Sequence, residues 1–540
     1  MRFHALSLPQ EAADPYRNST VLDIDCGRPV SDCGATPRRV DGEGIVCPAR
    51  GAGGKRVREK KTRMIKASKR ALAVGLVGAL ALVAAPGAAQ ETIRIGIGHQ
   101  SLCTDTYSGG ITVKQLGLLD KHLPRAGKYA GARYDIVWED YTSGPPITSQ
   151  MLAAKLDIGV MGDYPLLVNI ARFQETASLR SVIVSMTGYN MHGAGNSIVV
   201  PADAPIYRFE DLRGKRVSVP FGSAAHGMVL KALVDRGLTP DFFTLINQAP
   251  PIGATSIQEK RIDAHADFCP WGELMEFKGF GRKIFDGSQT SVAYLHGPVV
   301  RKDFLEKYPE IVVAYLKAVV EANEWITKNP EEATTRQEQW TSIPKEVLYL
   351  YFGRGGFLTL DATIKPKWIE VLKYDASVLQ KMGIIKGAAV EGFVDDRYIK
   401  QAYRELGRDY ARDQRVTVAG TSPVEGKDAT GGSIKDPRAA AEMWLKGEPI
   451  KPYASLASLM GGLREAEQAG RAVNAAYVFD YPTGLKLFAH RAFYVAGGSG
   501  KAATASLVAF AWKDEAEAFA AKHGGRVLSL EEAKKLGAAK

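Results

Sequence analysis

The chain has 540 residues, of which 45% are hydrophobic and 24% are charged, and its formal net charge is +11. The length predicts two or three domains, and five cysteines in so long a chain exclude a fold built on a disulfide framework. Residues 1–63 contribute +4 and residues 64–89 contribute +3, which leaves +4 for the remainder. The basic balance therefore gives no indication of nucleic-acid binding.

An export signal is predicted at residues 64–89 rather than at the start of the chain. A basic stretch at 66–70 precedes the apolar run 71–85, and small residues follow up to Ala89. This order is typical of a cleaved signal peptide, and the apolar run is too short to favour stable membrane insertion. We expect a mature protein that begins near Gln90 in the periplasm.

Residues 1–63 hold three of the five cysteines and show no helical or strand period. We interpret them as a disordered extension or as the product of a misassigned start codon, with Met64 as the initiator. A genuine cytosolic leader is the alternative, but a polar leader would hinder recognition of an internal export signal. Cys103 and Cys269 are the two cysteines of the predicted mature chain.

Strands and helices alternate through the first part of the mature chain. Predicted strands are 92–98, 134–138, 156–160 and 181–185, and predicted helices are 111–123, 146–155 and 163–173. This order is a repeated βαβ pattern, which builds a mostly parallel sheet in an α/β lobe.

A second series of strands and helices follows a predicted loop around 188–194. Predicted strands at 197–200, 215–219, 245–247 and 262–266 alternate with predicted helices at 225–237 and 252–261. Residues 292–300 predict a strand that returns to the first lobe, followed by a long helix over 301–328 and further helices to about residue 412. The pattern favours a hinged clamshell over 90–415, with lobe 1 at about 90–190 and 290–415 and lobe 2 at about 191–289.

Three sequence segments in this region resemble those of a known family. They are QMLAAKLDIGVMGDYP at 150–165, FEDLRGKRVSV at 209–219 and GSAAH at 222–226. Residues 92 to about 412 therefore resemble the periplasmic substrate-binding proteins of ABC importers, in the branch that takes nitrate, taurine, alkanesulfonates and thiamine-precursor pyrimidines. The resemblance implies a two-lobed periplasmic-binding-protein clamshell of type II. It also implies a small-molecule ligand, an ABC permease and its ATPase as partners, and no catalytic role or cofactor.

The ligand site is expected in the loops that follow the strands. In open α/β sheets, ligands lie beyond the carboxyl ends of the strands, where helix N-termini present unpaired N–H groups that suit an oxyanion. The loops concerned are 99–105, 161–164, 188–192, 221–228 and 267–271. The candidate ligand contacts from these loops are Cys103, Asp163, Tyr164, His192, Ser223, Ala224, His226, Cys269 and Trp271.

Some of these residues allow more than one interpretation. Ser223 can cap the helix that begins beside it, or it can hydrogen-bond to an anion. Trp271 can form an apolar side of the ligand site, or it can only pack between the lobes. His192 and His226 can donate to an anion, although a histidine in a polar loop is commonly only solvated. Asp163 fits an anion poorly, because an unpaired carboxylate beside an oxyanion is costly, and it favours a ligand with a positive group or a cation.

Cys103 and Cys269 leave three possibilities open. They can form a disulfide between opposite lobes, they can act as soft ligands for Cu(I), or they can be isolated buried thiols. A metal site would draw on Cys103, Cys269, His226 and Met228, and no compact spacing such as CxxC supports it.

A second resemblance covers the end of the chain. Residues 416–435 are rich in Gly, Ser, Pro, Asp and Lys, which predicts a linker. Beyond it, the phrases at 476–495 and 509–527 predict a small α+β unit and resemble the NosL family, exported accessory proteins of nitrous-oxide reductase that handle copper. The amino-terminal cysteine and methionine motif of that family is absent, and Met443 and Met460 are the available substitutes. The resemblance therefore implies the fold of residues 436–540 and gives little support for copper binding by this domain.

No catalytic signature accompanies these features, because the sequence contains no Gly-x-Ser-x-Gly elbow, phosphate loop or zinc-protease motif. We predict a solute receptor that closes two lobes over a nitrate-, sulfonate- or taurine-like molecule and delivers it to an ABC permease. The alternative is a protein that binds and delivers copper, another metal or a metal chelate.

Overall fold

The computed structural model describes residues 91–176, 179–290, 292–497 and 507–536. The predicted extension at 1–63 and the predicted signal peptide at 64–89 lie outside the described residues. Among the helices in the described ranges, none is long and apolar enough to cross a membrane.

The first lobe begins with strands and helices that alternate along the chain. The strands are β1 (Thr92–His99), β2 (Arg133–Asp140), β3 (Ile158–Gly162), β4 (Ser181–Ile183) and β5 (Gly188–Asn190). The helices are α1 (Ile111–Gln115), α2 (Leu118–His122), α3 (Gly144–Leu152) and α4 (Asp163–Gln174). β1 pairs in parallel with both β2 and β3, and its residues Ile93, Ile95 and Ile97 are buried.

Two local features of this half differ from the sequence prediction. The single helix expected over 111–123 is divided into α1 and α2, because Gly117 adopts a φ of 61°, a left-handed conformation that ends the first helix. Residues 188–190, expected within a loop, form β5, because two strands that come later in the chain pair with it.

The second lobe has its own five-stranded sheet. Its strands are β6 (Ser197–Pro201), β7 (Arg216–Val219), β8 (Thr244–Asn247), β9 (Ala264–Asp267) and β10 (Gly281–Asp286). Its helices are α5 (Ala224–Asp235), α6 (Pro250–Gln258) and α7 (Trp271–Phe277). The order across the sheet is β10-β6-β9-β7-β8, and β7 is parallel to both β8 and β9.

The chain then returns to the first lobe. β11 (Tyr294–Arg301) runs antiparallel to β3, β4 and β5, and β12 (Thr359–Leu360) pairs with β5. The completed sheet has the order β12-β5-β11-β3-β1-β2, with β4 beside β11.

Seven helices follow β11 and precede the predicted linker: α8 (Lys302–Lys307), α9 (Pro309–Lys328), α10 (Pro330–Thr341), α11 (Lys345–Phe352), α12 (Pro366–Lys381), α13 (Arg397–Glu405) and α14 (Tyr410–Arg415). The long helix expected over 301–328 is divided at Pro309. Proline has no N–H with which to continue α8, and it occupies the first turn of α9 instead.

A small α+β domain ends the chain. Its strands are β13 (Ala441–Leu445), β14 (Lys451–Tyr453), β15 (Val473–Phe479), β16 (Lys486–Phe488), β17 (Phe493–Gly497), β18 (Val508–Phe510) and β19 (Gly525–Leu528). Its helices are α15 (Leu456–Gln468), α16 (Lys513–His523) and α17 (Leu530–Leu536). The strands form two sheets, β14-β13-β15-β16 and β18-β17-β19. The predicted fold class, two α/β lobes followed by a small α+β domain, is confirmed.

Residues 416–435, predicted as a linker, lie against the rest of the molecule. The Gly355 N–H donates to the Ser422 carbonyl at 2.7 Å. Val424 is fully buried in a cluster that includes Phe479 of the C-terminal domain. The C-terminal domain is therefore joined to the lobes by packed chain rather than by a free tether.

The helix α11 lies between lobe 2 and the C-terminal domain. The Tyr351 hydroxyl donates to Glu273 of α7 at 2.5 Å. On the other side, the Tyr349 ring packs against Trp444 and Tyr477 of the C-terminal domain, with ring centroids 5.5 and 5.4 Å apart. One hydrophobic core therefore runs from lobe 2 through α11 into the C-terminal domain.

Candidate functional site

Four loops from the two lobes meet in one region. β1 and β3 are parallel neighbours in lobe 1, and β7 and β9 are parallel neighbours in lobe 2. The loop after each strand therefore lies beside the loop of its neighbour, at the edge of the sheet where ligands bind in α/β proteins. These loops are 99–107, 162–164, 220–228 and 267–271, and we call the region where they meet the interlobe seam.

The two lobes touch directly at the interlobe seam. Cys103 of the β1 loop and Cys269 of the β9 loop have their sulfur atoms 3.5 Å apart. Near the β3 loop, a methyl group added to Gly162 would lie 3.3 Å from Cβ of Ala224, the first residue of α5. The structure therefore shows the lobes closed on each other.

Tyr164 also crosses the seam. Its ring covers Gly227 of α5 so closely that a methyl group added to Gly227 would lie 2.1 Å from Tyr164 Cγ. Tyr164 and the buried Asp375 of α12 line the same small cavity. Glycine at position 227 is therefore what allows α4 and α5 to approach.

Cys103 and Cys269 are both buried and both free. Burial raises the pKa of the Cys269 thiol well above its usual range, and Cys103 and Asp105 beside it raise the pKa further. Cys269 is therefore a protonated thiol in this closed arrangement. The sequence placed the two thiols on facing sides of a cleft, and the structure brings them into contact.

Asp105 is a buried carboxyl group at the seam that the sequence prediction did not select. Burial raises its pKa to about 7, and hydrogen bonds from Cys269 and Thr104 oppose that rise. Nε2 of His296 lies 3.8 Å from Asp105 Oδ2, and burial lowers the pKa of His296 to about 3, so that this histidine is neutral. The available signal was the position of Asp105 in the loop 99–105, but sequence does not reveal that its side chain is buried.

Asp163, a candidate ligand contact, uses both carboxyl oxygens to accept backbone hydrogen bonds. Its Oδ1 accepts from the Tyr164 N–H at 2.7 Å, and its Oδ2 accepts from the Leu295 N–H of β11 at 2.9 Å. Burial raises the pKa of Asp163 to about 7, and these backbone hydrogen bonds oppose the rise. The side chain therefore holds the start of α4 to the return strand.

The N-terminus of α5 combines a helix cap with a buried histidine. Ser223 accepts a hydrogen bond from the His226 N–H at 3.2 Å, which is the capping role that the sequence also allowed. The His226 ring stacks on Phe221 with centroids 4.9 Å apart, and its Nδ1 accepts from the Gly222 N–H at 3.1 Å. Burial lowers the pKa of His226 to about 4, so the ring is neutral. Because Nδ1 is an acceptor, the ring proton lies on Nε2, which is buried and has no hydrogen-bond partner among the described residues.

Trp271 supplies a second donor of this kind. It is the first residue of α7 and is 8% exposed, and its indole N–H has no hydrogen-bond partner within the described part of the chain. Trp271 follows β9 and His226 follows β7, which are adjacent parallel strands. The seam therefore carries two buried ring N–H donors on neighbouring loops of lobe 2.

The two remaining candidates lie in different surroundings. His192 is half-buried in the turn after β5, where its backbone N–H donates to Asn190 Oδ1 at 3.0 Å. Met228 is buried on α5 and, with Asp163 and Asp375, lines a small cavity of about 20 Å³ between the lobes.

The proposed metal ligands are only partly brought together. Cys103 and Cys269 are in contact, but the described residues contain no group of three or more His, Cys, Asp or Glu arranged to hold a metal ion. His226 therefore does not join the thiols in such a group, and its Nδ1 already accepts a backbone hydrogen bond.

Known proteins resemble both parts of the chain. Residues 182–333 match the family model described as NMT1/THI5 like, and residues 434–536 match the NosL family model. The resemblance predicted from the sequence is confirmed. The taurine-binding periplasmic protein of Escherichia coli (strain K12) is 31% identical over 207 residues, which are 38% of this chain and 61% of that relative.

Two solved structures are similar to part of this chain at low sequence identity. The alkanesulfonate-binding protein SsuA from Xanthomonas axonopodis pv. citri bound to MOPS is 20% identical, with a TM-score of 0.48 over 57% of this chain and 100% of that one. The periplasmic nitrate-binding protein NrtA from Synechocystis PCC 6803 is 16% identical, with a TM-score of 0.46 over 65% of this chain and 96% of that one. The proteins named here are binding proteins rather than enzymes.

The NosL region does not offer the ligands of a copper centre. Residues 434–536 contain no cysteine, and their methionines, Met443 and Met460, are each 1% exposed within the hydrophobic core of the domain. Cu(I) is held mainly by thiolate and thioether sulfur. The residues present therefore do not fit a copper site in this domain.

Proposed function

We propose that this chain is the solute-binding component of an ABC importer, and that it encloses a small sulfonate such as taurine at the interlobe seam for delivery to a permease. The observation that carries the proposal is the pair of buried donors, His226 Nε2–H and Trp271 Nε1–H, that have no partner among the described residues. Buried polar groups in proteins are nearly always hydrogen-bonded, so two such donors on adjacent loops indicate an acceptor supplied by a ligand.

The surroundings of these donors favour an anion over a neutral acceptor. His226 lies in the first turn of α5, a helix of 12 residues whose N-terminus is at the seam. The backbone N–H groups and the dipole at such a terminus stabilise negative charge. A sulfonate group presents three acceptor oxygens and one negative charge, and it therefore matches both the donors and the helix.

Asp105 extends the proposal from sulfonates in general to taurine. Its carboxyl group is buried beside Cys269, on the opposite lobe from the two ring donors. An ammonium group placed beside a carboxyl group with a pKa of about 7 favours its ionised form. Taurine carries an ammonium group two carbons from its sulfonate, so it can engage both lobes at once.

Thermal unfolding with taurine, ethanesulfonate and nitrate tests the proposal. A solute at 100 times its dissociation constant adds about 2.7 kcal/mol to the free energy of unfolding. His226→Phe and Trp271→Phe keep an aromatic ring and remove the donor, and each is expected to weaken the binding of both sulfonates by about 1.5–3 kcal/mol. Asp105→Asn should weaken taurine and spare ethanesulfonate.

The matched control is His523→Phe on α16, in the C-terminal domain, which should leave the affinity for all three solutes unchanged. Equal stabilisation of the wild type and of the His226→Phe, Trp271→Phe double variant would contradict the proposed site. Absence of stabilisation by taurine and ethanesulfonate would contradict the proposed solute class.

The contact between the two thiols favours a second candidate, binding of a soft metal ion such as Cu(I) by Cys103 and Cys269. Competition with a chromophoric Cu(I) chelator measures this binding directly. Tight binding that is lost in both Cys103→Ser and Cys269→Ser, together with no response to sulfonates, would support the metal over the solute. Weak binding, or binding retained in both variants, would exclude it.

We also propose that the chain is exported through the segment 64–89. The support is the order of basic, apolar and small residues in that segment, together with the periplasmic taurine-binding relative. Amino-terminal sequencing of the protein from the periplasmic fraction of its host is expected to begin near Gln90. Recovery of peptides from residues 1–63 in that fraction would contradict the prediction.

A further inference from the structure

The interlobe seam holds two thiols in a position to react with each other. Cys103 is 2% exposed and Cys269 is 0% exposed, both are free, and their sulfur atoms are 3.5 Å apart. A disulfide bond is about 2 Å long, so an approach of roughly 1.5 Å would join them. A shift of that size is within the reach of two loop side chains.

We infer that Cys103 and Cys269 are a disulfide-forming pair that fastens lobe 1 to lobe 2 covalently. The β1 loop carries Cys103 on the first sheet and the β9 loop carries Cys269 on the second sheet. The bond would close a loop across 166 residue positions and would prevent the two lobes from separating. The inference concerns covalent chemistry at the seam and does not depend on which solute binds there.

The reaction is a thiol–disulfide exchange with an external disulfide, R–S–S–R. One thiol loses its proton and attacks the external disulfide, which forms a mixed disulfide and releases the first R–SH. The second thiol then attacks the protein sulfur of that mixed disulfide, which forms the Cys103–Cys269 bond and releases the second R–SH. The two cysteines are oxidised by two electrons, and the external disulfide is reduced by the same two electrons and receives both protons.

The neighbours of the pair set when this exchange can occur. In the closed arrangement both thiols are buried, so an external disulfide can reach neither sulfur atom. The first attack therefore requires the lobes to separate. The second attack occurs on closure, which brings the two sulfur atoms to within 3.5 Å of each other.

Peptide mapping of the full chain treated with excess oxidised glutathione tests the inference. After thiols are blocked by alkylation, a trypsin digest without reductant should yield peptide 95–114 linked to peptide 262–278, because the cleavage sites Arg94, Lys114, Arg261 and Lys278 flank the two cysteines. The linked pair should be the main form of both cysteines, and excess dithiothreitol should return both peptides to the free form. Free glutathione adducts on both cysteines, or links to Cys26, Cys33, Cys47 or a second chain, would overturn the inference.

The single variants Cys103→Ser and Cys269→Ser are the matched controls, since each removes one sulfur and keeps a small polar side chain. Each should give a glutathione adduct on the remaining seam cysteine and no linked pair. The wild-type map stands by itself if a variant fails to fold.

A solute readout separates this inference from the proposed function. Protein that was oxidised in the absence of solute should bind radiolabelled taurine many-fold more slowly than reduced protein. Reduction should restore the rate of binding. A Cys103–Cys269 disulfide with no change in the rate of taurine binding would overturn the claim that the bond holds the lobes together. If reduced protein also fails to bind taurine, the proposed function is contradicted. The peptide map still shows whether Cys103 and Cys269 form a disulfide.

Discussion

Buried carboxyl groups at the interlobe seam show how the same side chain can serve different purposes. Asp163 receives two backbone N–H groups, which is a structural arrangement that joins α4 to β11. Asp105 is equally buried, but its neighbours are the Cys269 thiol and the Thr104 hydroxyl, which are weaker partners. The difference leaves Asp105 as the carboxyl group that is able to respond to a charged ligand.

Asp105 makes the stability of the protein depend on pH. Its folded-state pKa of about 7 lies above the usual value of 3.8, so between these values the folded protein holds a proton that the unfolded chain has lost. The free energy of unfolding should therefore fall as the pH rises from about 4 to about 7, by up to about 4 kcal/mol. Asp105→Asn should remove the contribution of Asp105 to this fall, so that the variant gains stability relative to the wild type over the same range, while Asp163, whose pKa is also raised to about 7, keeps its own contribution.

Urea unfolding at pH 5, 6, 7 and 8 measures this difference. Asp120→Asn on α2 is the matched control, because Asp120 is exposed and its replacement should leave the profile of the wild type unchanged. Parallel pH profiles for the wild type and Asp105→Asn would contradict the assignment.

At the scale of elements, the N-terminus of α5 is both a capped helix end and part of the proposed ligand site. The Ser223 side chain caps the helix, and the same first turn carries Ala224 at the lobe contact and His226 with its free Nε2–H. The helix α15 has an equivalent cap, in which Ser455 accepts from the Ser458 N–H at 3.2 Å, but it lies in the C-terminal domain.

Replacing these two caps separates their roles. Ser223→Ala and Ser455→Ala should each lower the free energy of unfolding by about 1 kcal/mol, because each removes an acceptor for a helix N–H group. Ser223→Ala alone should also weaken sulfonate binding, since the first turn of α5 is expected to face the ligand. Urea unfolding and a taurine titration of both variants provide the measurement, and equal taurine affinities would place the anion elsewhere.

The elements that the sequence predicted well are those with a strong local signal. The strands β1 and β3 and the helix α4 are found within two residues of the predicted bounds. Two of the errors are also local in origin, since Gly117 and Pro309 each divide a helix that apolar spacing alone had made continuous, whereas β5 was missed because its pairing partners lie later in the chain. The helix α15 was not predicted, although the Ser455 cap and buried residues Leu456, Leu459 and Leu463 carry a helical period.

At the scale of the whole molecule, the C-terminal domain is part of the same packed body as the lobes. The Lys486 side chain of β16 is fully buried in an ion pair with Glu442, and its Nζ lies 4.2 Å from the centre of the Tyr349 ring of α11. Burial lowers the pKa of Lys486, and Glu442 opposes that shift. The ion pair therefore stands at the junction of the C-terminal domain and α11.

Removing one partner of this ion pair should lower the free energy of unfolding far more than removing both. Lys486→Met leaves a buried, unpaired carboxylate at Glu442 and should lower the free energy of unfolding by about 3–5 kcal/mol. The double variant Lys486→Met, Glu442→Leu should recover most of that loss, because two apolar side chains then pack together. Urea unfolding of Lys486→Met, Glu442→Leu and the double variant gives the coupling energy.

The control for this cycle is Lys513→Met, which breaks the exposed ion pair with Glu517, whose side chains are 55% and 57% exposed. Its effect should be within about 0.5 kcal/mol. Additive effects of the two substitutions at the junction would show that the pair is not coupled.

By itself, the sequence predicted most of the strands and helices of the two lobes, the fold class of two α/β lobes followed by an α+β domain, and the loops proposed for the candidate site. These predictions follow from hydrophobic periodicity, helix-capping residues and sequence motifs, all of which are local properties of the chain. The tertiary structure alone decided which side chains within those loops matter. It gave Asp163 two backbone partners, left the ring N–H groups of His226 and Trp271 without any among the described residues, and buried Asp105 beside the thiol of Cys269. The physical reason is that burial and hydrogen bonding depend on residues brought together from distant parts of the chain, and their effects on pKa and reactivity appear only after the lobes have met.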